Sequence, residues 1–191
     1  MYSFFAMLSR MKYINRWSLM RNSRVENISE HSHEVAVISH ALALIGNKRL
    51  GKDLNAERAA LLGLYHDSTE ILTGDMPTPV KYNDSAIRTA YRHLEDQASQ
   101  ALLSKLPEDL KDEYESFFYP ADKDEYLWKL VKAADKLSAL IKCLEEGKVG
   151  NREFVQAEEA TRRKLEEMDL PELTIFIEEF LEPYRHSLYE M

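Results

Sequence analysis

Strand signals are almost missing from this 191-residue chain: apolar and polar residues nowhere alternate for long between clusters of turn residues. Glycine and proline are scarce too, six of each, which leaves little room for long irregular segments. The single cysteine, Cys143, excludes an internal disulfide and fits a reducing compartment. No apolar run approaches the roughly 20 residues of a membrane span. The longest, VAVISHALALI, is short and contains His40. No charged residue precedes the apolar start MYSFFAML and no clear cleavage site follows it, so a secretory signal is not expected and a cytoplasmic protein is. A basic excess is absent as well. The formal net charge of −8 argues against general nucleic-acid binding. The charge is uneven, however: residues 1–25 hold Arg10, Lys12, Arg16, Arg21 and Arg24 and no acidic residue. Such a segment suits a small anion such as phosphate, or is simply a solvated helix face, and charge alone favours the second.

Helical periodicity is what the chain has in quantity. It predicts helices over Phe4 to Ile14, from an N-cap at Ser29 to Ile45 with a stop at Gly46, over Ala56 to Leu72, Ser85 to Leu106 (halted by Pro107), Glu108 to Phe118, Lys123 to Glu146, Asn151 to Met168 and Pro171 to His186. The expected architecture is an all-α, single-domain bundle of about seven to eight helices spanning 1–191. Its core would cover about 10–150, with C-terminal helices at 151–188 packed on it. Ile175, Phe176, Phe180 and Leu181 suit either that core or an interface. One connection stands out: TGDMPTPVKYND, residues 73–84, holds two prolines, a glycine and two aspartates, so it reads as a working loop or as ordinary helix punctuation.

Chemistry gathers at YHDSTE, residues 65–70, directly after the apolar run AALLGL. His66 and Glu70 are four apart and share a helix face, with Asp67 about 100° around from His66. A buried imidazole and carboxylate need a partner, and together they suit Zn²⁺, Mn²⁺, Fe²⁺ or Co²⁺. On the preceding helix His31 falls on one stripe with Val35, Ile38, Leu42 and Ile45, whereas His33 and His40 point elsewhere. On the sixth predicted helix Asp135 borders the apolar side formed by Leu127, Leu130, Val131, Ala134, Leu137, Ser138 and Ile141. The pattern H…HD…D thus places His31, His66, Asp67 and Asp135 on three inward faces, enough for one mononuclear metal centre.

That pattern resembles the HD-domain phosphohydrolases. The stretches ENISEHSHEVA (26–36), LLGLYHDSTEILTGDMPTPVKY (61–82) and VKAADKLSALIKCLEE (131–146), with INRWSLMRN (14–22), are similar to the bacterial 5′-deoxynucleotidases of that superfamily, to about residue 150. The resemblance implies His31, His66, Asp67 and Asp135 as ligands of one divalent transition metal such as Co²⁺, Mn²⁺ or Zn²⁺. It implies Glu70 and Asp75 as catalytic carboxylates, and Arg16 and Trp17 as contacts to phosphate and sugar. Asp75, Met76, Pro77 and Thr78 match a substrate-contacting stretch, and Asp67 and Asp135 border the same substrate. His33 departs from the pattern and receives no metal role. The implied activity is hydrolysis of deoxyribonucleoside 5′-monophosphates by a homodimer, with a small-molecule substrate and neither nucleic acid nor membrane as partner.

Elementary chemistry runs the same way. A cation offsets the charge of a phosphate monoester and acidifies water. Arg16 presents a planar fork to phosphate oxygens, and Trp17 is a rigid wall for a sugar or base. Glu70 would accept a proton from water or bond His66, and Asp75 would protonate the leaving oxygen or contact substrate. Two alternatives remain open at this point: an HD-domain hydrolase of dNTPs, cyclic dinucleotides or alarmones, and a non-catalytic helical module with a structural metal.

Overall fold

A computed structural model describes residues 1–81, 84–119 and 121–190, apart from the side chains of Thr78 and Pro79. The chain opens with a short helix, α1 (Phe4–Leu8), which tightens into a 3₁₀ turn over Ser9–Tyr13 instead of continuing as one α-helix. The long helix α2 (Ile28–Leu50) starts earlier and ends later than its sequence suggests. Asn27, not Ser29, is its cap: Asn27 Oδ1 accepts from the main-chain N–H groups of Ser29 and Glu30, and Glu30 Oε2 accepts from Asn27 N. This reciprocal capping box satisfies more free N–H groups than a lone serine does. Gly46 does not stop α2 either. A Cβ there would lie 2.8 Å from Glu172 Oε1 and 2.9 Å from Leu54 Cδ1, so the residue provides room. The terminator is Gly51, whose φ of +66° is the left-handed conformation a side chain resists.

The third predicted helix is really two. α3 (Ala56–Tyr65) stops just before the histidine–aspartate pair, a tight turn follows, and α4 (Glu70–Thr73) resumes helically. Ser68 N bonds Tyr65 O, and Glu70 N bonds Asp67 O, both at 3.0 Å, so the main chain there is wound three residues to the bond. Within the predicted loop lies one further helical turn, α5 (Thr78–Lys81). The remaining elements are α6 (Ser85–Leu103), capped by Asp84, then α7 (Glu108–Phe118), α8 (Glu125–Lys148), α9 (Val155–Glu166) and α10 (Pro171–Phe180). Seven of these helices have ten residues or more, within the predicted number. Among the described residues the only β-type pairing is an isolated bridge between Asn15 and Asn27.

The core lies where α2, α3 and α8 meet. Val35, Ile38, Leu42, Leu62, Leu130 and Leu137 are buried there, each worth about 1.5–3 kcal/mol. Helix α9 packs on α8, and α10 on α2, burying Leu173 and Phe176 while Phe180 stays 43% exposed. Lys52 Nζ donates to Glu172 Oε1 at 2.6 Å and fastens α10 to the end of α2. A smaller cluster joins α1 to α6 and α7: Phe4 sits against Leu102, Leu103 and Leu106, with its ring 5.0 Å from that of Tyr114. Helices α2 and α3 touch backbone to backbone at Gly63, where a Cβ would lie 2.9 Å from the Ala36 Cα. No helix of the described residues is long and apolar enough to cross a membrane.

Candidate metal and substrate site

His31 lies in the second turn of α2 with no exposed surface, facing the break after α3. Because α3 ends at Tyr65, His66 and Asp67 belong to the turn and are freed from helical spacing. His66 Nε2 lies 3.0 Å from Asp67 Oδ2, and His31 Nε2 lies 3.4 Å from that same oxygen. From α8, Asp135 brings its Oδ1 to 3.3 Å from His31 Nε2. One ligand atom each from His31, His66 and Asp67 fits within 4.8 Å of the others. Three of the four predicted residues are therefore brought together, and the fourth, Asp135, stands beside His31. His33 is exposed on the far side of α2.

The proton positions at this point follow from the partners behind each ring. His66 Nδ1 lies 2.7 Å from Gly63 O, a carbonyl that can only accept, so Nδ1 carries the hydrogen. Ser138 Oγ gives its single hydrogen to Glu34 Oε2 at 2.5 Å. It is thus left to accept from His31 Nδ1 at 2.9 Å. In the neutral rings both Nε2 atoms then turn lone pairs toward carboxylate oxygens. Both are buried and make no hydrogen bond of normal geometry. Two acceptors facing each other at 3.0 Å are favourable only around a proton or a cation. A mixed imidazole–carboxylate set suits a divalent transition metal, and hydrogen bonds behind the rings are the usual support for such ligands. The residues present fit the implied metal.

The close approach of these groups shifts their protonation. Burial works against a charged His66, but Asp67 outweighs it and raises the imidazole's proton affinity. Asp67 is held well below the usual carboxylate range despite burial, chiefly by His66 and His31. Glu70 goes the other way. It is buried on α4, its Oε2 has no partner, and burial with the nearby charges of Asp67 and Asp75 pushes it up to about 10. Asp75 is also raised, by burial and by Asp67, against the pull of Arg16.

These groups open into a cavity of about 580 Å³ lined by Arg16, Trp17, Asp67, Glu70, Asp75 and Asp135, together with Met76, Pro77, Ala139, Ala157 and Ala160. Thr78 begins α5 next to Pro77, and its side chain lies outside the described residues. A second cavity of about 570 Å³ reaches the back of His66 between Tyr65, Phe117 and Trp128 but touches none of those carboxylates. Chemistry and charge concentrate in the first.

Arg16 and Trp17 enter the cavity on an irregular segment, residues 14–27, between the first 3₁₀ turn and α2. Its ends are clipped together: Ile28 N bonds Ile14 O, and Arg16 N bonds Glu26 O, both at 2.9 Å. Trp17 takes a φ of +59°, a conformation costing a bulky residue about 1–2 kcal/mol, and its ring packs 5.2 Å from that of Phe154. The Arg16 guanidinium is kept charged against burial by Glu26 first, then by Asp135, Asp67 and Asp75.

Sequence reasoning missed the groups that hold these residues. Glu26 Oε2 accepts from Arg16 Nη1 at 2.6 Å and from Trp17 Nε1 at 3.0 Å. Glu146, buried at the end of α8, accepts from Ser23 N at 3.0 Å, from Asn151 Nδ2 at 2.7 Å and from Lys142 Nζ. Lys142 in turn donates to Arg24 O at 2.6 Å. Ser138 had a signal, since a hydroxyl on an apolar stripe needs a partner. Glu26 and Glu146 had none.

The sequence profile of the family described as 5′-deoxynucleotidase YfbR-like matches residues 3–184. A 5′-deoxynucleotidase of Photobacterium profundum is 47% identical over 190 residues, covering 98% of this chain and 97% of the relative. One of Yersinia pestis is 46% identical over 188 residues, covering 98% and 95%. Among solved structures, an HD-domain phosphohydrolase from Listeria innocua aligns with a TM-score of 0.80 at 21% identity, over 95% of this chain and 88% of the other. The cyanophage S-2L HD phosphohydrolase, bound to dA and one catalytic Zn²⁺, aligns with a TM-score of 0.65 at 21% identity, over 93% and 95%.

Proposed function

Because the chain belongs to the 5′-deoxynucleotidase YfbR-like family, with the fold of the HD-domain phosphohydrolases, we propose that it hydrolyses deoxyribonucleoside 5′-monophosphates to the deoxyribonucleoside and inorganic phosphate. The carrying observation is the convergence, in one cavity of mononucleotide size, of an imidazole–carboxylate cluster with Arg16 and Trp17. His31, His66, Asp67 and Asp135 hold one divalent transition metal, and the zinc of the cyanophage relative supports that reading. When bound, the ion neutralises phosphate charge and acidifies water.

The chain's own residues do the rest. Arg16 gives one N–H to Glu26 and keeps the other four for phosphate oxygens. Trp17 stands as a wall of the cavity, and placed against the 2′ carbon it would exclude a hydroxyl there. Met76, Pro77 and Thr78 border the substrate beside Asp75. Water adds to phosphorus as the bond to the 5′ oxygen breaks. Glu70 handles the proton of the incoming water and Asp75 that of the leaving oxygen. Burial and the charges of Asp67 and Asp75 raise the proton affinity of Glu70, and a bound cation would favour the ionised form needed to accept one. The enzyme works as one domain over 1–191, as a homodimer in the cytoplasm. Cys143 suits that compartment, because burial pushes its thiol up to about 12 and leaves it inert.

The test is phosphate release from deoxyribo- and ribonucleoside monophosphates by purified protein with Co²⁺, Mn²⁺ or Zn²⁺. Release from the deoxy forms is expected. Metal-loaded protein inert on all of them overturns the proposal, and release of pyrophosphate or triphosphate from dNTPs instead moves the substrate elsewhere in the superfamily. Trp17→Ala narrows the deoxy-over-ribo preference more than it lowers total turnover.

A further inference from the structure

Glu26 lies at neither the metal nor the cavity floor, yet it touches both residues that face the substrate's phosphate and sugar. A single oxygen, Oε2, accepts from the Arg16 guanidinium at 2.6 Å and from the Trp17 indole at 3.0 Å. Both charged side chains are close to buried, Arg16 at 11% exposure and Glu26 at 14%. The main chain repeats the link, since Glu26 O accepts from Arg16 N. From this geometry we propose that Glu26 is a positioning residue that sets sugar selectivity, by holding the Trp17 ring and the Arg16 fork as one unit. The inference rests on the proposed nucleotidase reading.

The physical reason lies in what each contact can fix. Packing on Phe154 holds the plane of the indole but not which edge faces the cavity, because the aromatic contact is apolar and broad about the ring torsion. The indole has one polar atom, Nε1, and its bond to Glu26 selects the edge. A wall that excludes one hydroxyl must be placed to within a fraction of a bond length. The same oxygen orients the guanidinium, so phosphate and sugar are registered against each other. Neither metal cluster nor Glu70 nor Asp75 bonds Glu26, so removing it leaves those groups in place.

The experiment compares wild type, Glu26→Ala, Glu26→Gln and Trp17→Ala on deoxyadenosine and adenosine monophosphates, with Co²⁺ affinity measured by absorbance titration. Glu26→Ala is expected to lower the deoxy-over-ribo ratio of kcat/KM by about 10-fold, mainly through KM, with Co²⁺ affinity unchanged. Glu26→Gln keeps an acceptor for Nε1 but not the charge, so it retains most of the ratio while KM rises for both substrates. An unchanged ratio in Glu26→Ala beside an altered one in Trp17→Ala overturns this inference and leaves the function standing. Joint loss of turnover and Co²⁺ affinity in Glu26→Ala overturns it too, as a merely structural effect. Should Glu26→Ala fail to fold, Glu26→Gln decides: selectivity lost, or KM unchanged, overturns the proposal. Wild type inert on both nucleotides removes the function and the inference together.

Discussion

On the metal side of the cavity, every group stands on helical backbone or on the tight turn between α3 and α4, and the rings are backed by Gly63, Ser138 and Glu34. On the substrate side, residues 14–27 have no regular structure beyond one bridge, and carboxylates hold them: Glu26 from within, Glu146 from α8. One side is fixed by close packing, the other by charge-assisted hydrogen bonds. The first should therefore fail when volume changes and the second when charge changes.

Removing chemistry without volume gives the largest effect. Glu70→Gln keeps the shape of a protonated carboxyl, so metal content should stay near that of wild type while kcat falls by about 10²–10⁴-fold. Asp67→Ala in the same assay loses the metal as well, and equal metal loss in both variants would erase the distinction between reacting and ligating carboxyls. Volume is tested next. Gly63→Ala forces a methyl against the Ala36 backbone and is expected to cost about 1–3 kcal/mol in thermal or chemical unfolding. Metal affinity should weaken with it, and a variant as stable and as tight as wild type would show that the helix crossing yields.

Charge on the substrate side gives the smallest effect and a defined pH window. Lys142, Asn151 and Ser23 outweigh burial and pull Glu146 from the ordinary 4.5 to about 2. A carboxylate depressed by folding contributes stability above its unfolded value and loses it as pH falls through the folded one. The segment should thus loosen as pH falls from about 4.5 to about 2, seen as a change in Trp17 fluorescence. Glu146→Gln should flatten that part of the titration, and an identical acid limb in the variant would remove Glu146 as the fastener.

The same division explains what could be read in the sequence. α7 runs from Glu108 to Phe118 as its flanking proline and periodicity indicate, and the stripe His31, Val35, Ile38, Leu42, Ile45 is buried throughout. Periodicity misjudged α3 because Ile71 and Leu72 keep the apolar rhythm across the break. Apolar spacing does not report whether the main chain stays α-helical, and past the break it misjudges burial too, since Leu72 is 45% exposed. The partnership of Glu26 with Arg16 and Trp17 spans ten residues of irregular chain and leaves no periodic trace, so only the resemblance pointed to that pair. The resemblance seemed to fade near residue 150, whereas the family profile continues to 184. What ties that end in is side-chain contact such as Lys52 with Glu172, which no local pattern encodes.

Gly63 couples the placement of the two histidines. With no side chain between them, the α2 and α3 backbones meet as hard surfaces, and His31 rides on one while His66 follows directly from the other. Their ring centroids lie 5.2 Å apart. A side chain at position 63 would press the two helices apart and carry the rings with them, so the spacing of the two histidines depends on a residue that contributes no ligand atom.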